Sequence, residues 1–486
     1  MLRCAQHDRL LGCLKVSASL RSTKEPGMQR SGLFFFMLLF ALLGGGLVAL
    51  PTAGAATNCA TQTEIPQSEC EALLALYAAT NGANWVDNTG WNETNTPCSW
   101  FGVACVGGNV RSLILNENNL AGVLPAELAN LTELQNLALM GNLLSGEMPE
   151  FLATMMNLSE IRLARNPLGG PLPASLGNLS NLQRLDLGRM QITGGIPVEL
   201  GRLSKLQRLE MSGNQLSGTL PPELGNLSNL TVLNLGENRQ LSGSIPDTYA
   251  NLSNLHRLEV DGTQLSGAIP AWIGSLTKLE NIQLDNNRMT GTIPPELGNL
   301  PGLRIMELDD NQLTGNIPPE LGSLSTLTQL VLHDNQLTGS IPAELGNLYR
   351  LERLELQRNQ LTGCIPSALG QLALLRVLNL SDNRLSCGIP PELSAVPPQA
   401  AQLAATGVLT SLQELDLSIN QLTGAIPAEF ATLTTLTDLD LSYNFLTTSD
   451  PTLRTFLGAK DPDWAEHQEG GRPSSSSAVY LPLVVR

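Results

Sequence analysis

The sequence predicts an α/β repeat solenoid of about 14 coils, with one concave parallel β-sheet and a cap at each end. Asparagines recur at intervals of 24 residues through most of the chain, and nearly the same phrase surrounds each of them. Before each asparagine, leucines alternate with other residues, as one short strand per coil requires. A fixed period of this length is typical of solenoids, whose coils bury their apolar faces only by stacking on one another.

Twelve asparagines define the repeat, and we predict that they form a structural ladder. Their spacing slips by one residue after Asn238 and is interrupted by an insertion near residues 394–410. Two coils carry Met190 and Thr263 at the asparagine position. The ladder consists of Asn118, Asn142, Asn166, Asn214, Asn238, Asn287, Asn311, Asn335, Asn359, Asn383, Asn420 and Asn444.

The coil around Asn335 shows how the phrase works. The alternation places Leu330 and Leu332 inward and Val331 outward on one strand. The Asn335 amide offers two donors and one acceptor, enough to satisfy the backbone of a tight buried turn and of the adjacent coil. Gly339 then permits backbone angles closed to other residues. Each coil therefore contains a strand, a turn and a second crossing on the convex side.

The full phrase, L-x-x-L-x-L-x-x-N-x-L-x-G-x-I-P, extends from about Val110 to Leu446. It resembles the plant-type leucine-rich repeat of plant receptor ectodomains, polygalacturonase-inhibiting proteins and many secreted bacterial proteins. This resemblance implies a right-handed arc with the parallel sheet on the concave side. Residues 110–446 are therefore predicted to be the repeat domain.

The segments on either side of the repeats are predicted to be caps. Residues 56–109 carry an amphipathic run and three tryptophans, and the stretch Cys70 to Cys105 resembles the N-terminal cap of plant-type repeats, in wording closer to the bacterial form. Residues 447–469 resemble the closing segment of bacterial members. Trp464 is interpreted as a buried cap residue, with a ligand contact as the alternative. The insertion near 394–410 is interpreted as a surface loop or short helix.

Residues 1–55 are predicted to be an N-terminal extension and a secretory signal. An apolar run, Leu33 to Leu50, is followed by the small-residue cleavage site 53–55, and an uncleaved membrane anchor is the alternative. We expect the exported chain to begin at Ala56 and to be secreted or displayed on the cell surface. Residues 470–486 form a serine-rich linker and an apolar tail, either a frayed sticky end or a signal read by export machinery.

Six cysteines follow the predicted signal, an even number that indicates disulfides in an exported chain. Cys364 and Cys387 occupy adjacent positions one coil apart, so we predict a disulfide across two stacked coils. The other four allow three connectivities, of which we favour Cys59–Cys70 with Cys98–Cys105. A zinc site is the alternative for these four, but no histidine lies nearby.

Charge limits the class of partner. Residues 56–486 carry 22 basic and 42 acidic residues, a net charge of −20. Nucleic acid and anionic membranes are therefore excluded as partners. In four coils the outward strand positions hold an arginine and an acid, which we expect to neutralise each other: Arg184 with Asp186, Arg208 with Glu210, Arg257 with Glu259, and Arg353 with Glu355.

The candidate ligand-binding residues lie one step further along four consecutive coils. We name them the acidic row, which comprises Asp261, Asp285, Asp309, Asp310, His333 and Asp334. Carboxylates about 5 Å apart on neighbouring strands repel each other unless a cation lies between them. We interpret the row as a surface for a cationic group, and the alternatives are an ordinary solvated acidic face and a Ca²⁺ site.

No catalytic motif stands out, and only three histidines follow the signal. We expect no enzyme, no cofactor and no bound metal. The leading hypothesis is a monomeric, secreted or surface-displayed binding module that recognises a protein or polysaccharide through its concave face. An inhibitor of a secreted glycosidase and a structural or adhesive surface protein are the alternatives.

Overall fold

The computed structural model describes residues 56–394, 411–462, 464, 465 and 468. All of them belong to one compact unit, Gly54–Arg486. The predicted signal at 1–55, most of the insertion near 394–410 and the tail at 470–486 lie outside the described residues, so those three predictions stay predictions. Among the residues that are described, no helix has the length and apolar character needed to cross a membrane.

Short strands dominate the described chain. They are β1 (Val103–Val106), β2 (Asn109–Ile114), β3 (Ala121–Gly122), β4 (Asn136–Ala138), β5 (Leu143–Leu144), β6 (Glu160–Arg162), β7 (Gly169–Pro171), β8 (Arg184–Asp186), β9 (Gln191–Gly194), β10 (Arg208–Glu210), β11 (Gln215–Thr219), β12 (Val232–Asn234), β13 (Gln240–Gly243), β14 (Arg257–Glu259), β15 (Gln264–Ala268), β16 (Asn281–Gln283), β17 (Arg288–Thr292), β18 (Ile305–Glu307), β19 (Gln312–Asn316), β20 (Gln329–Val331), β21 (Gln336–Thr338), β22 (Arg353–Glu355), β23 (Thr362–Cys364), β24 (Val377–Asn379), β25 (Arg384–Ser386), β26 (Glu414–Asp416), β27 (Thr423–Ala425), β28 (Asp438–Asp440) and β29 (Phe445–Thr447).

The first sheet, made of β1 and the even-numbered strands, has 15 strands, with one strand from each of 14 coils. Strand β1 pairs antiparallel with β2, and every later pair is parallel. The strands are in register by repeat position, so that Leu330 aligns with Met306 on one side and with Leu354 on the other. The predicted parallel sheet is therefore confirmed.

A second sheet was not anticipated from the sequence. Its eight parallel strands are the odd-numbered ones from β7 to β21, formed where each coil leaves the asparagine turn. The glycine of the G-x-I-P phrase lies in these strands with a positive φ, 75° at Gly315. A Cβ atom there would approach Thr292 Cγ2 to 2.8 Å, so both the backbone angle and the packing require glycine.

The convex side of the first 13 coils is formed by short 3₁₀ helices that each begin after a proline. They span Ala126–Asn130, Glu150–Thr154, Ala174–Asn178, Val198–Arg202, Pro222–Asn226, Asp247–Asn251, Ala271–Ser275, Pro295–Asn299, Pro319–Ser323, Ala343–Asn347, Ser367–Gln371, Pro391–Leu393 and Ala428–Thr432. Two further 3₁₀ helices, Gly82–Asn84 and Pro97–Ser99, lie in the N-terminal cap. Between these helices and the first sheet, the repeat leucines form one continuous core, and Leu330, Leu332 and Leu345 are fully buried.

Eleven of the ladder asparagines join two coils by side-chain hydrogen bonds, and Asn118 joins the first coil to Asp87 of the cap. Asn335 Nδ2 donates to the carbonyl oxygens of Leu308, Leu332 and His333 at 3.0–3.2 Å. Its Oδ1 accepts from the backbone N–H of Leu313 in the preceding coil at 2.9 Å. The residue before it, Asp334, has a φ of 50°, which turns the chain out of the strand.

The two substituted ladder positions remain buried but bond differently. Thr263 is 8% exposed and donates from Oγ1 to Asn287 Oδ1 of the next coil. Met190 is 6% exposed and contributes only its backbone N–H, which donates to Asn214 Oδ1 at 3.2 Å. The neighbouring asparagines therefore supply part of the bonding that these two side chains lack.

The N-terminal end of the stack is covered by α1 (Gln67–Ala79), which packs against the 3₁₀ helix Ala126–Asn130. Glu69 on α1 is buried, and its carboxylate accepts from the backbone N–H of Val110 at 2.7 Å, which ties the cap to the first coil. Trp91 packs between Trp85 and Trp100 with ring centroids 4.9 and 5.0 Å apart.

The predicted disulfides are present in the structure. Cys59–Cys70 and Cys98–Cys105 lie in the N-terminal cap, each with a Cα–Cα distance of 5.5 Å. Cys364–Cys387 joins two stacked coils beside the paired strands β23 and β25, with a Cα–Cα distance of 5.3 Å. The cysteines of the described chain therefore form no zinc site.

The C-terminal end is covered by α2 (Pro451–Lys460), which packs against the 3₁₀ helix Ala428–Thr432. Trp464 is 7% exposed. Gln468 lies 24 residues after Asn444 and takes over the ladder role, because its Oε1 accepts from the Leu446 N–H at 2.8 Å and its Nε2 donates to the Leu441 carbonyl at 2.9 Å. Upstream, β24 pairs directly with β26, so the insertion does not interrupt the first sheet.

Candidate functional site

The exposed face of the first sheet brings the acidic row together. Asp261, Asp285 and Asp309 follow β14, β16 and β18, which are neighbours in the sheet. The backbone pairing continues past the strands: the Gly262 N–H donates to the Asp285 carbonyl, and the Asn286 N–H donates to the Asp309 carbonyl, both at 3.0 Å. These three stacked aspartates therefore stand about 4.8 Å apart.

The stacked aspartates are more buried than a solvated face would be. Asp309 is only 8% exposed, and Asp285 Oδ1 is buried without a hydrogen-bond partner in the described structure. The second oxygen of Asp285 accepts from Asn286 Nδ2 at 3.0 Å. The aspartates of the row point to the exposed face, but each one packs against the side chain at the same repeat position in the neighbouring coil.

Burial and mutual repulsion shift the ionisation of these carboxyls. Burial, together with the neighbouring Asp285 carboxylate, raises the pKa of Asp261 to about 7. Burial also raises the pKa of Asp309 to about 7, although His333 acts in the opposite direction. The pKa of Asp285 is raised for the same reason, with Glu307 and Asp310 adding to the effect of burial.

The acidic row begins at Asp261, because the preceding coil has a glycine at the same repeat position. Gly236 occupies the position of Asp261 in the previous coil, and a Cβ atom on it would lie 2.2 Å from Asp261 Oδ1. The Asp261 carboxylate therefore folds over Gly236, which leaves no room for any side chain there. The row therefore ends at this glycine, because a larger residue would collide with Asp261.

His333 closes the other end of the row. Its Nδ1 lies 2.9 Å from Asp334 Oδ2, and its Nε2 lies 3.5 Å from Asp309 Oδ2. Burial lowers the pKa of His333, but the hydrogen bond to Asp334 and the nearby carboxylates outweigh burial and raise it. Burial alone would raise the pKa of Asp334, but hydrogen bonds from His333 and Arg358 lower it instead.

One member of the acidic row, Asp334, has a cationic partner within the protein. Arg358 Nη1 lies 3.1 Å from Asp334 Oδ2. The two residues occupy the same position in consecutive coils, 24 residues apart, so the repeat itself juxtaposes them. Among the described residues, no lysine or arginine forms an ion pair with any of the three stacked aspartates. In the described structure, the basic partner of Asp309 is therefore the His333 imidazole, and Asp261 and Asp285 have none.

A calcium ion does not fit this cluster. Ligand atoms of Asp309, Asp310 and His333 lie within 4.8 Å of one another. Calcium takes six to eight oxygen ligands, whereas this set offers two carboxylates and one nitrogen. The imidazole is also held by Asp334 through Nδ1. The cluster is better described as a histidine paired with surrounding carboxylates.

The strands beside the row carry the expected ion pairs. Arg184 with Asp186 (3.2 Å), Arg208 with Glu210 (2.8 Å), Arg257 with Glu259 (2.5 Å) and Arg353 with Glu355 all form in the structure. Glu307 is a further acidic residue of this face that was not predicted from the sequence. Its strand, β18, carries Ile305 where those four strands have an arginine. Glu307 instead accepts a hydrogen bond from Gln283 Nε2. Its position in the repeat, two residues before Asp309, is the feature of the sequence that could have identified it.

Val331 also departs from expectation, since it points to the exposed face but is only 7% exposed. It lies in register between Glu307 and Glu355, whose longer side chains flank it. Val331 therefore forms a small apolar surface on the described face, beside the acidic row.

Protein-family models match much of the described solenoid. The leucine rich repeat model matches residues 156–216, 253–313 and 325–385, and a related leucine rich repeat model matches residues 411–433. The leucine rich repeat N-terminal domain model matches residues 66–106, which contain α1 and the cap tryptophans.

Solved structures of plant receptors share this architecture. The chain is 32% identical to the Arabidopsis receptor kinase HAESA, crystallised with the peptide hormone IDA and the co-receptor SERK1, with a TM-score of 0.63 over 78% of this chain and 66% of that chain. It is 33% identical to the plant peptide hormone receptor RGFR1 in complex with RGF2, with a TM-score of 0.54 over 72% of this chain and 68% of that chain.

A curated relative matches over a shorter region. The probable inactive receptor kinase RLK902 of Arabidopsis thaliana is 32% identical over 116 residues, which is 24% of this chain and 15% of that protein. The chain therefore spans a small part of the length of this relative and about two thirds of the HAESA chain.

Proposed function

Because the chain belongs to the leucine-rich-repeat family, we propose that it is an extracellular protein-binding module that uses the exposed face of its first sheet. The single observation that carries the proposal is the set of three stacked aspartates on that face. Three adjacent carboxylates without lysine or arginine partners cost folding free energy, and a ligand that brings a positive charge recovers that cost.

The comparisons support a protein partner. HAESA and RGFR1 were crystallised with peptide hormones, and both share the coil architecture described above. The face of the first sheet offers a broad surface from many consecutive coils, which suits an extended polypeptide segment. The three disulfides favour an oxidising, extracellular compartment.

The charge pattern narrows the partner to one with a cationic segment. The flanking arginines are already paired within their own strands, so they neutralise their own acids and not the row. A lysine or arginine side chain placed over Asp285 would meet carboxylates from three coils at once. Such an interaction contributes mainly specificity and rate of association, and it weakens as salt is added.

A pull-down with the chain from Ala56 onward tests this function. The double variant Asp285→Asn with Asp309→Asn should lose a captured protein that the wild type retains at low salt. A matched control removes the same charge from the 3₁₀ helices on the other side, with Glu320→Gln and Glu344→Gln, and should retain it. Equal capture by both variants would contradict the role of the row.

The same experiment separates the two alternatives. Capture of a secreted glycosidase, with loss of its activity in the complex, would support the inhibitor function. Retention on cell-wall polysaccharide that is diffuse and removed by salt would support an adhesive role. Neither result requires the stacked aspartates, so the Asp285→Asn and Asp309→Asn variant would behave like the wild type in both cases.

A further inference from the structure

The three stacked aspartates are surrounded by further acidic groups on every side. Along the strands, Glu259 and Glu307 precede Asp261 and Asp309, and on the turn side Glu237 and Asp310 face them. Glu259 is paired with Arg257, whereas His333 is the one basic side chain in contact with a stacked aspartate in the described structure. Beyond His333 lie Glu355, at 4.0 Å from Nε2, and Asp334 with its partner Arg358.

We propose that the acidic row is a pH gate: it holds the cationic segment of a partner at neutral and alkaline pH and releases it on mild acidification. This inference rests on the proposed function and assigns the regulation of the same site. It stands on the spacing of the aspartates and on their partial or full burial, because ionising adjacent carboxylates in such surroundings is costly without a compensating cation.

Two titrations act in the same direction. When the pH falls through about 7, Asp261 and Asp309 take up protons, and the row loses two of the negative charges that attract the ligand. The carboxylates around His333 raise its pKa, so its imidazole gains a positive charge at a higher pH than an ordinary histidine and repels a cation. Release is therefore steeper than a single ionising group would produce.

An ordinary acidic surface would not behave this way. Exposed aspartates and glutamates ionise near pH 4, so they keep their charge, and their cationic ligands, down to about pH 5. Asp261 and Asp309, whose pKa values are about 7, lose their charge well before that point. Loss of binding between pH 8 and pH 5.5 therefore distinguishes the gate from simple charge attraction.

Calorimetric titration with a synthetic peptide of six lysines tests the gate. From pH 8 to pH 5.5, each carboxyl with a pKa of about 7 that must be ionised lowers the affinity about 30-fold, and two lower it about 900-fold. The double variant Asp261→Asn with Asp309→Asn should bind at pH 8 as weakly as the wild type does at pH 5.5. The control Glu320→Gln with Glu344→Gln should keep the full pH dependence.

A direct titration separates failure of the gate from failure of the proposed function. Aspartate-selective ¹³C NMR on the wild-type protein follows the carboxyls without any ligand, and the single variants assign the signals. Signals of Asp261 and Asp309 that titrate near pH 4 would overturn the gate even if the peptide binds. Titration near pH 7 together with binding that is lost on acidification would support it, and a pH-independent affinity would overturn it.

Discussion

Replacing Asp261 by asparagine should stabilise the protein at pH 8. The wild-type carboxyl has a folded pKa of about 7 against an ordinary value of 3.8, so ionising it costs more in the folded state than in the unfolded state. Its contribution to stability is fully present below pH 3.8 and is lost as the pH rises through 7. The asparagine side chain would be neutral throughout and would fit the same space over Gly236.

The magnitude follows from the size of the shift. Three pKa units correspond to about 4 kcal/mol, which is an upper bound, because Asp261 is only partly buried and solvent screens its charge. We expect the variant to gain about 1–2 kcal/mol in unfolding free energy at pH 8 and nothing at pH 4. The wild type should therefore be less stable at pH 8 than at pH 5, and the variant should show a smaller difference.

Urea unfolding at pH 5 and pH 8, followed by circular dichroism, measures this change. Glu344→Gln is the matched control, because it removes one exposed carboxylate from a 3₁₀ helix outside the acidic row. A long repeat array can unfold in steps, so the comparison uses the first transition that the aspartate variant shifts. A variant that is less stable than the wild type at pH 8 would refute the reasoning.

Three further predictions concern stability. Asn311→Ala should destabilise its two coils by about 1–3 kcal/mol for each buried group left unpaired, since Asn311 Nδ2 donates to three carbonyls. The neighbouring control Asp310→Asn should not destabilise them. Equal melting temperatures for the two variants would contradict the structural role of the ladder. Gln468→Ala should increase amide hydrogen exchange at Leu446 while leaving the cap at Val110 unchanged, and unaltered exchange at Leu446 would remove its ladder role. The double variant Cys364→Ser with Cys387→Ser should lower the free energy of unfolding by up to about 3 kcal/mol, as expected for a disulfide that closes a loop of 23 residues. Free thiols at these positions in the wild type, found by non-reducing peptide mapping, would contradict the disulfide.

The lattice of coils could be worked out from the sequence because one period governs it. With 24 residues per coil, the position of Asn335 predicts the ladder asparagines from Asn287 to Asn383, and the placement of Cys364 beside Cys387 follows from the same count. The three stacked aspartates could be aligned for the same reason. Gln468 obeys the count too, but a glutamine after a helical cap gives no local signal of its role.

The second sheet was less accessible to sequence reasoning. Its strands contain glycine and polar residues, and they pair only because neighbouring coils bring their backbones within hydrogen-bonding distance, as at Thr314 beside Thr292. No apolar alternation within a strand such as β17 marks it as a strand. Backbone pairing across coils, and not side-chain pattern, creates this element.

The sequence by itself determined which residues share a column on the face of the first sheet, because periodicity assigns each residue to a position in the coil. Only the tertiary structure decided their chemistry. It buried Asp309, left Asp285 Oδ1 without a hydrogen-bond partner among the described residues, and paired Asp334 with Arg358. The physical reason is that burial and ion pairing depend on how far each side chain extends across its neighbours, and a one-dimensional repeat specifies order along the stack but not these contacts.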